Sequence, residues 1–557
     1  MRWRHIAGGL TFLALATSSF AQSDIDRDLS EIDVPHLQKL YADHKYTVSQ
    51  VVEWYLARIR TYNDVYRAFE EVFAAEARAA AAKADAESGP HGPLWGVPIV
   101  IKANTSIAGH VTTDGWEGFT KPGHELIAPK DATVVAKLKA AGAIILGHTN
   151  MPDFADSDTG RSSSYGRTGN AFDVRFSPGG SSSGTVTSVT GNMAMLGTGT
   201  DTANSIRMPS GTSALVGILP TRGLVSIAGI APLDWLLDNT GPIARNVTDA
   251  AITLGVMAGP DPLDPVTAGS AKAQPGPYTQ YLKADSLKGK RIGVPAFIYH
   301  GLQAPFHGVP ADVSELDMIK QAASQTVPLD PRTKAAFRSA LNQLKALGAT
   351  IVEAEDVLGE DFSLATIRVG TYGYDREGAD LFLKEFGPAQ YKSADEYQRV
   401  MGRPLGAAMI GDQPGYNQMG ETRILQRRIE DREAVEKDVY GPRRKVLDMY
   451  MKTMERLKLD AFVYPSAQMP PVDETMPQDD KISGGPHSAT GWVNMIGVPA
   501  IVVPGGFYDS GLPFGLEFSG KPWRDGDLIG IAYGWEQGTH LRHPPIMVEK
   551  GLLPDAR

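Results

Sequence analysis

Serine and glycine crowd the middle of this chain in two runs, Ser177-Pro178-Gly179-Gly180-Ser181-Ser182-Ser183-Gly184 and Gly199-Thr200-Asp201-Thr202-Ala203-Asn204-Ser205-Ile206-Arg207-Met208-Pro209. Three kinds of structure compete for such a pattern. A flexible Ser/Gly linker is the plainest, but regular apolar sequence flanks the runs, and linkers seldom sit inside a core. A phosphate-cradling loop places backbone N–H groups at a helix start. No G-x-x-x-x-G-K-[ST] is present and no dinucleotide fingerprint follows a strand, which argues against it. Nucleophilic catalysis is the third. A serine hydroxyl is a weak nucleophile near neutrality and needs an adjacent base. Gly180-Ser181-Ser182-Ser183-Gly184 formally matches G-x-S-x-G, which makes Ser182 an elbow nucleophile with a downstream Asp and a His such as His487 or His540. That elbow requires a buried strand running straight into it, and Phe176-Ser177-Pro178-Gly179 does not read as one.

The two runs together resemble the signature region of the amidase signature family, P-G-G-S-S-G followed by G-T-D-x-G-G-S-I-R-x-P. Other segments are similar as well. Gly92-Pro93-Leu94-Trp95-Gly96-Val97-Pro98 through Lys102 is similar to G-P-L-x-G-V-P-x-x-x-K. Asp131-Ala132-Thr133 with Gly147-His148-Thr149-Asn150-Met151 is similar to D-A-T…G-x-T-N-M. Gly241-Pro242-Ile243-Ala244-Arg245 and Val498-Pro499-Ala500 also have counterparts, so the similarity spans about 35–260 and 460–545 in order.

The resemblance implies a Ser–Ser–Lys triad, with Ser205 as nucleophile, Ser181 as bridging serine and Lys102 as base. It also implies a cis peptide bond at Gly180–Ser181 and an oxyanion hole from the backbone N–H groups of Thr202, Ala203 and Asn204. The chain departs from the pattern there, with Ala203-Asn204 in place of Gly-Gly. Backbone donors survive a side-chain change, but a positive φ favours Gly, and Asn tolerates it better than most residues. A lysine acts as base only if its pKa falls well below about 10.4, and burial lowers it. Lys102 ends the apolar run Val97 to Ile101, where desolvation favours the neutral amine. Asp201 and Arg207 flank Ser205 with opposite charges and are expected to pair and hold the loop. Thr112 and Thr113, before Asp114-Gly115-Trp116, resemble the family's substrate-side loop. Trp116 and Trp235 are candidates for an apolar pocket wall, and equally for core.

The implied activity is hydrolysis of a carboxamide through an acyl-Ser205 intermediate, on a peptide amide, an aryl or fatty acylamide or a similar small amide, with no cofactor. The 12 His residues form no ligand-spaced cluster and no H-E-x-x-H occurs, so no metal is expected. Three alternatives stand beside it: an esterase using Ser182, a catalytically inactive binding protein suggested by Ala203-Asn204, and the glutamine-hydrolysing subunit of a tRNA amidotransferase.

The elements that must position these residues are legible in part. Val51, Val52, Tyr55, Ile59 and Tyr62 recur at helical spacing, and 35–87 reads as helices. Asp131 is expected to cap a helix with Val134, Val135, Leu138 and Ala141 inward, Gly142 ending it before the strand Ala143 to Leu146. The same order returns with Asp330, Pro331, Gly348 and a strand from Ala349 to Val352. Phe462 to Tyr464, Ala500 to Val503 and Leu516 to Phe518 read as further strands. Repeated helix–Gly–apolar strand predicts a three-layer α/β/α fold around a large mixed central β-sheet. Residues 22–557 are expected to form a single domain, with 261–459 as a peripheral elaboration that includes a long amphipathic helix from Met419 to Leu457.

Composition narrows the function classes. With 42% hydrophobic and 21% charged residues the chain reads as a globular protein. Its net charge of −10 and the lack of a Lys/Arg block argue against nucleic acid or an anionic membrane as partner, and the small-molecule amide substrate is what the resemblance implies. The chain has no cysteine, which excludes disulfides and thiolate chemistry. Arg2 and Arg4, an apolar stretch from Ile6 to Ala16, and Ser19-Phe20-Ala21 match a cleavable signal peptide over residues 1–21, predicting a periplasmic or secreted protein. No later segment reads as a membrane span.

Overall fold

The computed structural model describes residues 24–301, 328–410, 426–475 and 488–549. The expected signal peptide and His487 lie outside the described residues. Among the described residues thirteen strands follow in chain order: β1 Phe69–Val72, β2 Pro98–Lys102, β3 Ile144–Thr149, β4 Arg161–Ser162, β5 Gly166–Arg167, β6 Leu196–Asp201, β7 Val216–Leu219, β8 Asn239–Ala244, β9 Arg291–Gly293, β10 Thr350–Val352, β11 Ala461–Pro465, β12 Ala500–Phe507 and β13 Pro513–Ser519. β4 and β5 form a small hairpin, and the other eleven make one sheet in the order β1-β3-β2-β6-β8-β7-β12-β13-β11-β9-β10. β2 runs parallel to β3 and β6, and β9 parallel to β10 and β11, while the remaining pairs are antiparallel.

Every residue of β2 and β6 is buried, as expected of parallel strands covered on both faces. The helix Ser183–Thr190, itself buried throughout, packs on β2, β3, β6 and β8. Helices Val247–Met257 and Asp525–Thr539 pack on β7, β8 and β12 and against each other. The sheet is the middle layer of a three-layer α/β/α fold. Strands β9 and β10 come from the segment expected to be peripheral and extend one sheet edge. Among the described residues no helix is long and apolar enough to cross a membrane.

Local chemistry explains where expectation and structure part. Asp330 caps the helix Pro331–Ala346 by accepting the Arg332 N–H at 2.8 Å, and Gly348 (φ 94°) ends the turn after it. Asp131 does not cap its helix. Residue 132 occupies that position without a side-chain bond, and the Asp131 carboxylate takes the Ala108 N–H at 2.9 Å and the Lys139 ammonium instead. The 35–87 stretch holds a strand, β1, between its helices; Glu70 and Glu71 mask its β signal on a sheet edge where charge is common. In the expected Met419–Leu457 helix, 411–425 lie outside the described residues and 426–431 are not helical. Asp431 accepts the Ala434 N–H at 3.0 Å and starts a new helix there.

One buried cluster joins the second serine run to the far half of the sheet. Arg207, wholly buried, donates to both carboxylate oxygens of Asp201 (3.0 and 3.1 Å), to Glu517 on β13 (2.6 Å) and to Asn494 Oδ1 (2.7 Å). Asn494 returns a bond to the Asp201 carbonyl at 2.8 Å, and the Asp201 carboxylate also takes the Ile206 N–H at 2.9 Å. Burial opposes the guanidinium charge, and Asp201 and Glu517 together outweigh it, raising its pKa above the ordinary value. Removing one partner of such a pair strands the others unpaired. Arg207→Met should therefore lower stability by about 3–5 kcal/mol, read as a fall in the denaturant midpoint. An unchanged midpoint would show that the cluster does not hold the fold.

Candidate active site

β2 and β6 are parallel neighbours, Ile99 beside Leu196 and Val100 beside Gly197, so their carboxyl ends, Lys102 and Asp201, lie at the same edge of the sheet. That edge of a parallel sheet is where ligands meet residues from several strands. Gly197 allows the close approach, since a Cβ there would lie 2.6 Å from Val100 Cγ2 and 2.8 Å from Thr185 Cγ2.

Lys102 is fully buried. Its Nζ donates to Ser181 Oγ at 2.6 Å and to Thr200 Oγ1 at 2.7 Å, with the Thr200 carbonyl at 3.5 Å. All three partners are neutral. Asn104 Nδ2 donates to the same Thr200 hydroxyl at 3.0 Å and fixes its position. Burial pushes the Lys102 ammonium down to about 7, against the pull of Asp114, Asp201 and Asp238. Asp114 is also fully buried, and neither of its carboxylate oxygens has a hydrogen-bond partner among the described residues. Burial holds its carboxyl well above the ordinary range, and Lys102 is the cation opposing that.

The Gly180–Ser181 peptide is cis. Gly180 is itself enclosed, because a Cβ would lie 2.3 Å from the Thr159 carbonyl. The Ser182 N–H donates to the Ser205 carbonyl at 3.2 Å and draws the two serine runs together. Ser205 retains 6% exposure, whereas Ser181 and Ser182 have none. The Ser182 hydroxyl donates to the Thr200 carbonyl at 3.4 Å, and no strand runs into it. His540 is exposed at the end of the helix Asp525–Thr539. The G-x-S-x-G elbow is not built here.

The loop from Thr202 to Ser205 is held from several directions. Thr202 Oγ1 donates to Asp238 Oδ1 at 2.5 Å, and Asn204 Nδ2 donates to Asp158 Oδ1 at 3.0 Å. Arg207 Nη2 donates to the Ala203 carbonyl at 2.6 Å. Neither Ala203 nor Asn204 has a positive φ, so side chains at these two positions are compatible with the backbone. The N–H groups of Thr202, Ala203 and Asn204 meet no backbone acceptor among the described residues. The arrangement thus offers a lysine near neutrality, a hydroxyl in contact with it, and unpaired N–H donors beside a second, partly exposed serine.

The other sequence candidates lie around this centre. Thr113 bonds to Glu70 through its hydroxyl. Trp116 packs in an aromatic cluster with Phe119, Phe154 and Tyr397, under the Arg403 guanidinium. Trp235 belongs to a different cluster and donates from Nε1 to the Tyr374 carbonyl at 3.0 Å. Sequence reasoning missed Asn104, Thr200, Asp114, Asp158, Asp238, Asn494 and Glu517. Thr200 could have been found, since it precedes Asp201 on the strand beside Lys102; Asp114, Asp158 and Asp238 come from loops, and Glu517 from the distant strand β13, whose placement spacing does not reveal.

Comparisons with known proteins show the family to which the chain belongs. The family model described as Amidase matches residues 50–316 and 320–529. The chain is 32% identical over 541 residues to a glutamyl-tRNA(Gln) amidotransferase subunit of Symbiobacterium thermophilum, covering 93% of this chain and 99% of that one. Among solved structures, the native peptide amidase of Stenotrophomonas maltophilia is 28% identical with a TM-score of 0.70, covering 92% of this chain and 98% of that one. An amidase family protein from Bacillus anthracis is 25% identical with a TM-score of 0.71, covering 94% of each chain. A match over most of the chain, together with these likenesses, makes the protein a member of the amidase family and an amidohydrolase acting at a carboxamide C–N bond.

Proposed function

We propose that the protein hydrolyses a small carboxamide through an acyl-Ser205 intermediate, with Ser181 relaying protons to Lys102. The observation that carries this is the 2.6 Å contact from Lys102 Nζ to Ser181 Oγ inside a fully buried pocket of neutral oxygens. With its pKa near 7, much of Lys102 is the free amine at neutral pH and accepts the Ser181 proton. Ser181 takes the Ser205 proton as Ser205 Oγ attacks the amide carbon. The developing oxyanion lies against the N–H groups of the Thr202–Asn204 loop, and each such donor is typically worth about 10²–10³ in rate. The relay then runs backwards, protonating the leaving nitrogen as the C–N bond breaks. Water, deprotonated by the same route, cleaves the acyl ester and restores Ser205.

The substrate belongs to the peptide amides, aryl or fatty acylamides or similar small amides, and the N-terminal pattern of Arg2, Arg4 and Ile6 to Ala16 supports export. A second reading, glutamine hydrolysis within a tRNA amidotransferase, draws on the 32% identity to a component of such an enzyme. The export pattern and the net charge of −10 both count against it.

Treatment with a fluorophosphonate should give one covalent adduct, on Ser205, by intact mass and peptide mapping, and none in Ser205→Ala. An adduct on Ser182 would overturn the assignment. The pH profile follows from Lys102. Its charged form is inactive as a base, so kcat/KM should fall as pH drops below about 7 and level off above it. Lys102→Ala should lose about 10²–10⁴ in kcat/KM at neutral pH, partly recovered in alkaline buffer. Full turnover by that variant near pH 7 would remove Lys102 as the base.

A further inference from the structure

Carboxylates surround the Ser205 loop on more sides than its support requires. Asp158 holds Asn204 and Asp238 holds Thr202. Asp238 also accepts the backbone N–H groups of Leu233 and Asp234 at 3.1 and 3.3 Å, which sets Asp234 beside it. The segment Thr371–Asp375 docks on that turn. The Thr371 hydroxyl bonds to the Asp234 carboxylate, and the Tyr374 carbonyl takes Trp235 Nε1 at 3.0 Å. Gly378 leaves room for the Trp235 indole, since a Cβ there would lie 2.4 Å from its ring. The docking brings Asp375 in front of Asp234 and Asp238.

Asp375 is the revealing residue. It is 5% exposed, and its Oδ1 has no hydrogen-bond partner among the described residues. A first-turn position in the helix Asp375–Phe386 is a common structural reason for an aspartate, yet no N–H of that helix takes this oxygen. The charged groups acting on Asp375 are all acids, namely Asp234, Asp238 and the half-buried Asp156. Asp156 acts on Asp158 as well, the acid that holds Asn204 in the Ser205 loop. Two guanidiniums stand near, and each donates to backbone carbonyls, although Arg222 Nη1 has no hydrogen-bond partner among the described residues. Arg222 donates to Trp235 O at 2.7 Å, and Arg443 to Leu236 O at 3.0 Å and Met495 O at 2.8 Å. They act on Asp238 and Asp234 and leave Asp375 facing acids. Among the described residues no group of three or more His, Asp or Glu is arranged to hold a metal ion. An unpartnered carboxylate oxygen in a ring of separated acids suits a larger cation that donates several hydrogen bonds.

We propose that the acidic face of Asp156, Asp158, Asp234, Asp238 and Asp375 receives an organic cation, so that the preferred amide substrate carries an ammonium or guanidinium group. The inference rests on the acyl-Ser205 reading and names the substrate class for it. Burial and the neighbouring acids raise the Asp375 carboxyl well above the ordinary range. A bound cation reverses that balance, so binding releases a proton or strengthens as pH rises.

The test is the rate of fluorophosphonate labelling of the full chain at mildly alkaline pH, with hexylammonium, hexan-1-ol and hexanoate as competitors. Hexylammonium should half-protect the nucleophile at a concentration at least about tenfold below that of the alcohol or the acid. Asp375→Asn should raise the hexylammonium value at least about tenfold, normalised to the variant's own unprotected rate. Asp156→Asn, on the half-buried side, should act in the same direction and decides the matter if Asp375→Asn does not fold. Equal protection by the three competitors, or unaltered hexylammonium protection in the folded variants, overturns the proposal. Absence of any labelling overturns the acyl-serine reading instead, and this inference falls with it.

Discussion

A lysine at the end of a fully buried strand, meeting only neutral oxygens, sets the terms for the rest of the structure. Water would stabilise its charge; Ser181 Oγ, Thr200 Oγ1 and the Thr200 carbonyl do so far less. Depressing an ammonium from 10.5 to about 7 corresponds to roughly 4–5 kcal/mol of lost stabilisation of the charged form. The parallel pairing of β2 with β6 creates that environment, because both strands are buried along their length and end at the same edge of the sheet. Asp114, Asp201 and Asp238 pull the other way from beyond hydrogen-bond range, so the amine sits near neutrality and not far below it.

Two buried cations a short distance apart show the opposite solutions to one problem. Arg207 is surrounded by Asp201, Glu517, Asn494 and two carbonyls, and keeps its charge. Lys102 has no carboxylate in hydrogen-bond contact and sheds its charge easily. The first arrangement fixes geometry, since Arg207 reaches the Ala203 carbonyl and Asp201 holds the Ile206 N–H across Ser205. The second supplies a base. Exchanging the two environments would spoil both roles, as a paired lysine would stay protonated and an unpaired arginine could not lose its proton.

The sequence disclosed most where chemistry and strand pattern coincide. The apolar run ending in Lys102, the Gly/Ser runs and the repeated helix–Gly–strand order are all local, and they map onto β2, the loops around Ser181 and Ser205, and the layered sheet. Ala203-Asn204 left the backbone open in sequence; the structure shows that no positive φ is needed there. The carboxylates were not legible. Asp158 and Asp238 come from separate loops and Asp375 from the start of a helix, and their placement is set by tertiary contacts such as Trp235 to Tyr374. The strand β1 was hidden by Glu70-Glu71, and Asp131 served Lys139 and Ala108 in place of a helix cap because a tertiary partner competed with the local one.

The protonation state of Lys102 is the quantity on which this account turns, and it can be observed without any substrate. Protein labelled with ¹⁵N/¹³C-lysine, compared with a Lys102→Arg sample to assign the resonance, would report the Nζ and Cε shifts across pH. The account predicts a single titration near 7, well below the range of a free lysine. A Lys102 resonance that stays in the ammonium form to above about pH 10, the range of a free lysine, would contradict it.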